Sequence, residues 1–165
     1  AEPYQGGGNM ISDVTFSQSA YAPPPAKFEA GTANIAGAIA LAAALDYAHS
    51  VGMSNIAAHE KRLIDRLTER LSSIDGLTVV GGAEQKAGAV SFVIDGVPPS
   101  KIAGALDKFG VAVRAGHHCA QPILRLMGRP ETVRPSVGMY NGLDEIEFLC
   151  RLLSDFIKNK RLYDI

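Results

Sequence analysis

The spacing of apolar positions changes along this chain, and each change marks an element. From Ile35 to Leu45 the apolar residues run almost unbroken, with Ile35, Ile39, Leu41 and Leu45 set among alanines. This predicts a helix that is apolar nearly all round and therefore buried between other elements. Thr32 or Asn34 can cap its start, and it runs to about Ser50, with Gly52 ending it. A second helix starts near Ser54, where Ile56, Leu63, Ile64, Leu67, Leu71 and Ile74 recur at helical spacing. Glu60, Lys61, Arg62, Asp65, Arg66, Glu69 and Arg70 cover its other face as a solvated surface, and Gly76 stops it.

Beyond Gly76 the period shortens. Leu77–Val80 reads as a strand, Gly81-Gly82 as a turn, and Ala89–Ile94 as a strand with Val90, Phe92 and Ile94 on one face. Gly96 and Pro98-Pro99 break that run. Ser100 can then cap a helix to Phe109, with Ile102, Leu106 and Phe109 turned inward. Gly110–Val113, extending to Arg114, reads as a further strand. Gln121–Met127 reads as a short helix with Pro122 in its first turn, where a missing N–H costs nothing. Thr132–Met139 is predicted as a strand in which Pro135 demands an edge position or a bulge. The last helix spans Leu143 to about Asn159, with Ile146, Leu149, Leu153, Phe156 and Ile157 inward. Together these predict an α+β fold: a small, mostly antiparallel sheet with helices packed on one face.

Residues 1–30 have little pattern. Gly6-Gly7-Gly8 reads as a flexible or close-approach segment, Met10-Ile11 and Val14-Thr-Phe16 as short extended pieces, and Pro23-Pro24-Pro25 as a stiff polyproline stretch. A chain of 165 residues suits one domain with a real core. Its 16 basic and 17 acidic residues nearly balance and form no basic run, which argues against nucleic acid or an anionic membrane as main partner. No apolar run approaches the roughly 20 residues of a membrane span. The only cysteines are Cys119 and Cys150, too few for a disulfide framework, and with no signal or transit sequence at the start this points to a reducing, cytoplasmic setting.

Candidate chemistry concentrates in Arg114–Pro122, reading Arg-Ala-Gly-His-His-Cys-Ala-Gln-Pro. Cys119 is expected on a strand-to-helix turn. A helix N-terminus, Arg114 and the imidazoles of His117 and His118 form surroundings of the kind that favours thiolate over thiol. The alternative is a cysteine used as a small buried hydrophobe. A metal site is not expected, because three adjacent residues diverge and no Cys-x-x-Cys or His-x-x-x-His pair accompanies them.

This stretch resembles the active-cysteine motif of group II (Suf-type) cysteine desulfurases, also called selenocysteine lyases, in the class V aminotransferase family: Arg-x-Gly-His-His-Cys-Ala-x-Pro, with every fixed position filled. Gly6-Gly-Gly-Asn-Met-Ile11, Phe28-Glu-Ala-Gly-Thr32 and Arg134-Pro-Ser-Val-Gly-Met-Tyr-Asn141 agree with the family in the same order. The resemblance implies a fold-type I enzyme that uses pyridoxal 5′-phosphate as an electron sink to take sulfur from L-cysteine, leaving alanine. Cys119 would receive the sulfur as a persulfide and pass it to an acceptor protein for iron–sulfur cluster assembly. Arg134 would hold the substrate carboxylate in its planar fork, and Arg114 would give electrostatic support. His117 and His118 would tune or shuttle protons. Thr32 would reach the cofactor phosphate of the other subunit in a homodimer. Asn9 stands where relatives often have an acidic or hydroxyl residue.

The serious departure from the family is that Lys27, Lys61, Lys86, Lys101, Lys108, Lys158 and Lys160 all lie outside a Ser-His-Lys-like Schiff-base motif; Asn9 is a minor one. The resemblance thus implies a C-terminal portion, with residues 1–30 the tail of a large cofactor-binding domain and 31–165 the small domain. It also implies no turnover by these residues alone. The rival expectations are a split sulfur-relay or docking module without activity of its own, and a selenocysteine lyase.

Overall fold

The computed structural model describes residues 1–159. The chain divides into two compact units, Ala1–Gly52 and a second that begins at Met53.

In the first unit, β1 (Ile11–Val14) and β2 (Ser19–Tyr21) form an antiparallel hairpin. The three prolines do not stay extended; they enter a turn that leads into a 3-10 turn at Ala26–Phe28. Gly7 is the glycine of its triplet that needs to be one. A Cβ there would lie 3.0 Å from the Gly31 nitrogen, whereas Gly6 and Gly8 face open space. Helix α1 (Ile35–Val51) begins at Asn34, whose side chain accepts from the Gly37 N–H, and ends at Gly52 with φ +94. Its capping follows the sequence; its burial does not. No residue of α1 is buried, and Ile35, Ile39, Leu41 and Leu45 are 60, 67, 61 and 54 % exposed.

The second unit carries the core. Helix α2 (Met53–Ser72) turns Leu63, Ile64, Leu67 and Leu71 inward, while Ile56 is half-buried. It ends before Gly76, because the Ser73 hydroxyl donates to the Arg70 carbonyl and closes the last turn. Strands β3 (Leu77–Val80), β4 (Ser91–Ile94), β5 (Arg114–Gly116) and β6 (Thr132–Arg134) form one sheet in the order β3-β4-β6-β5, antiparallel throughout. Helices α3 (Pro99–Asp107), α4 (Gln121–Leu126) and α5 (Leu143–Lys158) complete the α+β architecture.

Val90, Phe92, Ile94 and Val133 from the sheet meet Leu67 and Leu71 from α2, Ile102 and Leu106 from α3, and Leu149, Leu153 and Phe156 from α5 in one apolar cluster. Burying each such side chain stabilises the fold by about 1.5–3 kcal/mol. Arg66 and Arg70 on α2 both pair with Glu147 on α5, fastening these two helices at their solvent edge.

Several expected boundaries move. The apolar run Gly110–Val113 is not a strand; pairing starts at Arg114. Pro99, not Ser100, opens α3, and Phe109 is 49 % exposed, with its ring centroid 5.8 Å from that of Phe156. The strand predicted from Thr132 to Met139 stops at Arg134. Its proline then lies just outside an inner strand, where a missing N–H removes no ladder bond, and the Pro135 carbonyl accepts from Val90. The other strand begins at Ser91 rather than Ala89, which forms only an isolated bridge with Ser136. No single described helix is long and apolar enough to cross a membrane.

Candidate functional site

β5 and β6 place the site. Their register pairs Arg114 with Arg134, Ala115 with Val133 and Gly116 with Thr132. Directly opposed residues in an antiparallel pair send their side chains to the same face, so both guanidiniums share one face of the sheet, with Thr132 on it two residues from Arg134.

Beyond Gly116 the chain leaves the ladder and turns into α4. Both His118 and Cys119 adopt left-handed backbone, with φ +54 and +57. For residues with a Cβ this costs about 1–2 kcal/mol each, so the turn needs anchors. Three are present. The Cys119 N–H donates to His117 Nδ1 at 3.1 Å. Arg114 Nη2 lies 4.0 Å from Cys119 Sγ. His118 Nε2 lies 2.9 Å from Thr132 Oγ1 and 3.1 Å from the Thr132 carbonyl oxygen.

Cys119 is thus exposed at the tip of a strained turn, and the alternative of a buried small hydrophobe does not apply to it. Cys150 takes that role instead: it is fully buried on α5, and burial pushes its thiol up to about 11. The short α4 does follow the cysteine, with Pro122 in its first turn.

His118 departs from the expectation that both imidazoles add positive charge. Burial foremost, then the charge of Arg134, hold its pKa below 6.5; the Thr132 hydrogen bond opposes this, and Arg114 and His117 add to the lowering. The expected positive charge at the turn therefore does not rest on His118. Two polar atoms here are buried without a partner among the described residues, Arg134 Nε and His118 Nδ1. Each leaves hydrogen-bonding capacity open at the site.

Arg114, His117, His118, Cys119 and Arg134 are therefore brought together. Thr32 belongs to the first unit, where with Asn9 and Gly31 it lines a cleft of about 250 Å³. There Asn9, itself left-handed at φ +69, donates from Nδ2 to the Gly31 carbonyl. A separate cleft of about 310 Å³ opens between Val111–Val113 and Pro135–Val137, and none of the five clustered residues lines it. Thr132 is the site residue that sequence reasoning missed. Its signal was available: a polar residue two positions before Arg134 in a strand shares that arginine's face. Among the described residues no cluster of His, Cys, Asp and Glu could hold a metal ion.

Residues 1–149 match the family model described as Aminotransferase class-V. The chain is 54 % identical over 147 residues to a cysteine desulfurase of Synechococcus elongatus, covering 89 % of this chain and 24 % of that protein. It is 45 % identical over 160 residues to a probable cysteine desulfurase of Xylella fastidiosa, covering 97 % of this chain and 38 % of the other. The apo structure of a cysteine desulfurase from Thermococcus onnurineus superposes with a TM-score of 0.84 at 38 % identity, over 95 % of this chain and 40 % of that one. The chain thus spans between about a quarter and two-fifths of the length of these three proteins. With the family model matched across both units, the chain belongs to the class-V aminotransferases.

Proposed function

We propose that this chain is the cysteine-bearing part of a group II cysteine desulfurase that takes sulfur from L-cysteine, releases L-alanine and carries the sulfur as a persulfide on Cys119. What supports the reading is one arrangement: an exposed thiol on a strained turn, 4.0 Å from the guanidinium of Arg114, with Arg134 paired opposite that arginine. The same reading makes residues 1–30 the tail of a larger domain and 31–165 the small domain.

The residues present fit one end of the cofactor that this activity calls for. The Thr32 hydroxyl makes no hydrogen bond among the described residues and lines an open cleft, which suits a phosphate oxygen. In a homodimer Thr32 would offer that contact to the other subunit's site. No lysine here lies in a Schiff-base motif. When bound, pyridoxal 5′-phosphate supplies the electron sink that lets the substrate's C–S bond break.

The chain's own residues then have separate tasks. Arg134, whose Nε is buried and open, holds the substrate carboxylate through its fork. Arg114 stabilises negative charge on Cys119. The Cys119 thiolate attacks the substrate sulfur. An S–S bond forms as the C–S bond breaks, and the electron pair left on the β-carbon takes up a proton to give the methyl group of alanine. Exposure of Cys119 then lets an acceptor protein for iron–sulfur cluster assembly reach the persulfide.

Incubating the full-length protein with L-cysteine and pyridoxal 5′-phosphate tests the proposal. Alanine should be released while mass spectrometry finds one added sulfur on Cys119, and Cys119→Ala should lose both. Alanine release with sulfur never found on Cys119 would overturn it. The 165-residue chain alone should release none; persulfide on it without a lysine-bearing partner would favour a relay module instead.

A further inference from the structure

We infer that Thr132 is a positioning residue for Cys119: its carbonyl and hydroxyl oxygens fix the ring of His118, and that ring holds the left-handed pair that carries the sulfur. The inference rests on the proposed function only in taking Cys119 as the reacting thiol.

Thr132 is fully buried, and it is the one polar residue among the buried residues described. It occupies the last rung of the β5–β6 ladder, opposite Gly116, so it lies where the chain leaves the sheet for the turn. Both of its oxygens are within hydrogen-bond distance of one ring nitrogen, His118 Nε2. A carbonyl oxygen can only accept, so the arrangement that uses both contacts puts the hydrogen on Nε2. This assigns the tautomer: the neutral ring carries its proton toward Thr132 and its lone pair on Nδ1. Nδ1 is buried and has no partner. Burial foremost, then the charge of Arg134, push the ring toward its neutral form, against the opposing pull of the Thr132 carbonyl.

Two consequences follow from that tautomer. The ring is tethered at one end to the sheet, which offsets the backbone strain at His118 and Cys119. Its other nitrogen is an acceptor, so the site gains a proton-accepting atom beside two guanidiniums instead of a third positive charge.

The test uses the full-length protein and reads the rate at which iodoacetamide alkylates Cys119 as a function of pH, with the melting temperature measured alongside. Thr132→Val keeps the shape and removes the hydroxyl; it should slow alkylation roughly three- to tenfold. Thr132→Ser should restore the rate to within about twofold. His118→Gln, which can present an N–H where Nε2 stood, should retain more reactivity than His118→Asn. In wild-type protein labelled with ¹⁵N-histidine, His118 should show a protonated Nε2 and a bare Nδ1. An unchanged alkylation profile in folded Thr132→Val, or a proton on Nδ1, would overturn the inference. Alkylation needs no L-cysteine, so a failure of the desulfurase reading would leave this test standing, and the wild-type spectrum decides the tautomer even if a variant fails to fold.

Discussion

Arg114 and Arg134 are Cα partners across β5 and β6, two like charges on one face of a short ladder. Like charges directly opposite destabilise a strand pair. That cost would be offset by an anion between or beside them, and under the proposed function the Cys119 sulfur and the substrate carboxylate would be such anions. On that reading, a pairing that costs the sheet stability would favour binding.

Arg134→Lys should separate charge from geometry. A lysine keeps the charge but loses the planar fork. The expected result in the full-length protein is a KM for L-cysteine raised roughly tenfold or more, since hydrogen bonds to charged groups are worth about 1.5–3 kcal/mol, with a smaller effect on kcat. An unchanged KM would remove Arg134 from carboxylate binding.

The two thiols should behave differently toward an alkylating reagent. Cys119 is exposed, whereas Cys150 is fully buried and its thiol is pushed up to about 11. Mass spectrometry of native protein treated at mildly alkaline pH should find the label on Cys119 alone, and denaturant should add the second. Early labelling of Cys150 would contradict the packing of α5.

His118 should titrate below 6.5, because burial and then Arg134 disfavour its charged form. Its folded value lies below its unfolded one. As pH falls through the ordinary value the unfolded chain therefore takes up the proton first, and stability is lost. Nuclear magnetic resonance of the ring carbon proton gives the value directly. A midpoint above 6.5 would mean that an anion sits where none is described.

Glu147 gives an independent acid-sensitive joint. The hydrogen bond from Arg66 is the largest cause holding its carboxyl below the usual 4.5; partial burial opposes it, and the charges of Arg66 and Arg70 add to it. A depressed carboxyl contributes stability above its unfolded value and loses it as pH falls through the folded one. Glu147→Gln should lower the melting temperature at neutral pH and flatten its decline below about pH 4.5. A parallel decline in both proteins would mean that the α2–α5 pairing is inert.

Much of this fold was legible because its core helices obey their periods. Leu63, Ile64, Leu67 and Leu71 on α2, and Ile146, Leu149, Leu153 and Phe156 on α5, lie where a 3.6-residue repeat puts them. Strand ends were less legible. Gly110–Val113 is apolar enough for a strand, but pairing depends on what lies opposite, and β6 offers only Thr132–Arg134. The burial of α1 was misjudged because an apolar surface states what a helix prefers, and none of its residues is buried among the described residues. At the site, the motif located Cys119 and its neighbours, while the left-handed backbone at His118 and Cys119 left no mark in the residue types, since neither is a glycine. Thr132 was overlooked because a threonine in a strand ordinarily needs no explanation.

The positive φ of Cys119 also sets heat resistance against chemistry at this position. A glycine at 119 would adopt that conformation without the Cβ penalty and could keep the N–H bond to His117. Breeding the protein for survival at high temperature alone would accordingly drift toward discarding the sulfur. Under the proposed function, retention of cysteine under such a regime would report that its sulfur was in demand, which turns a single codon into an assay of use.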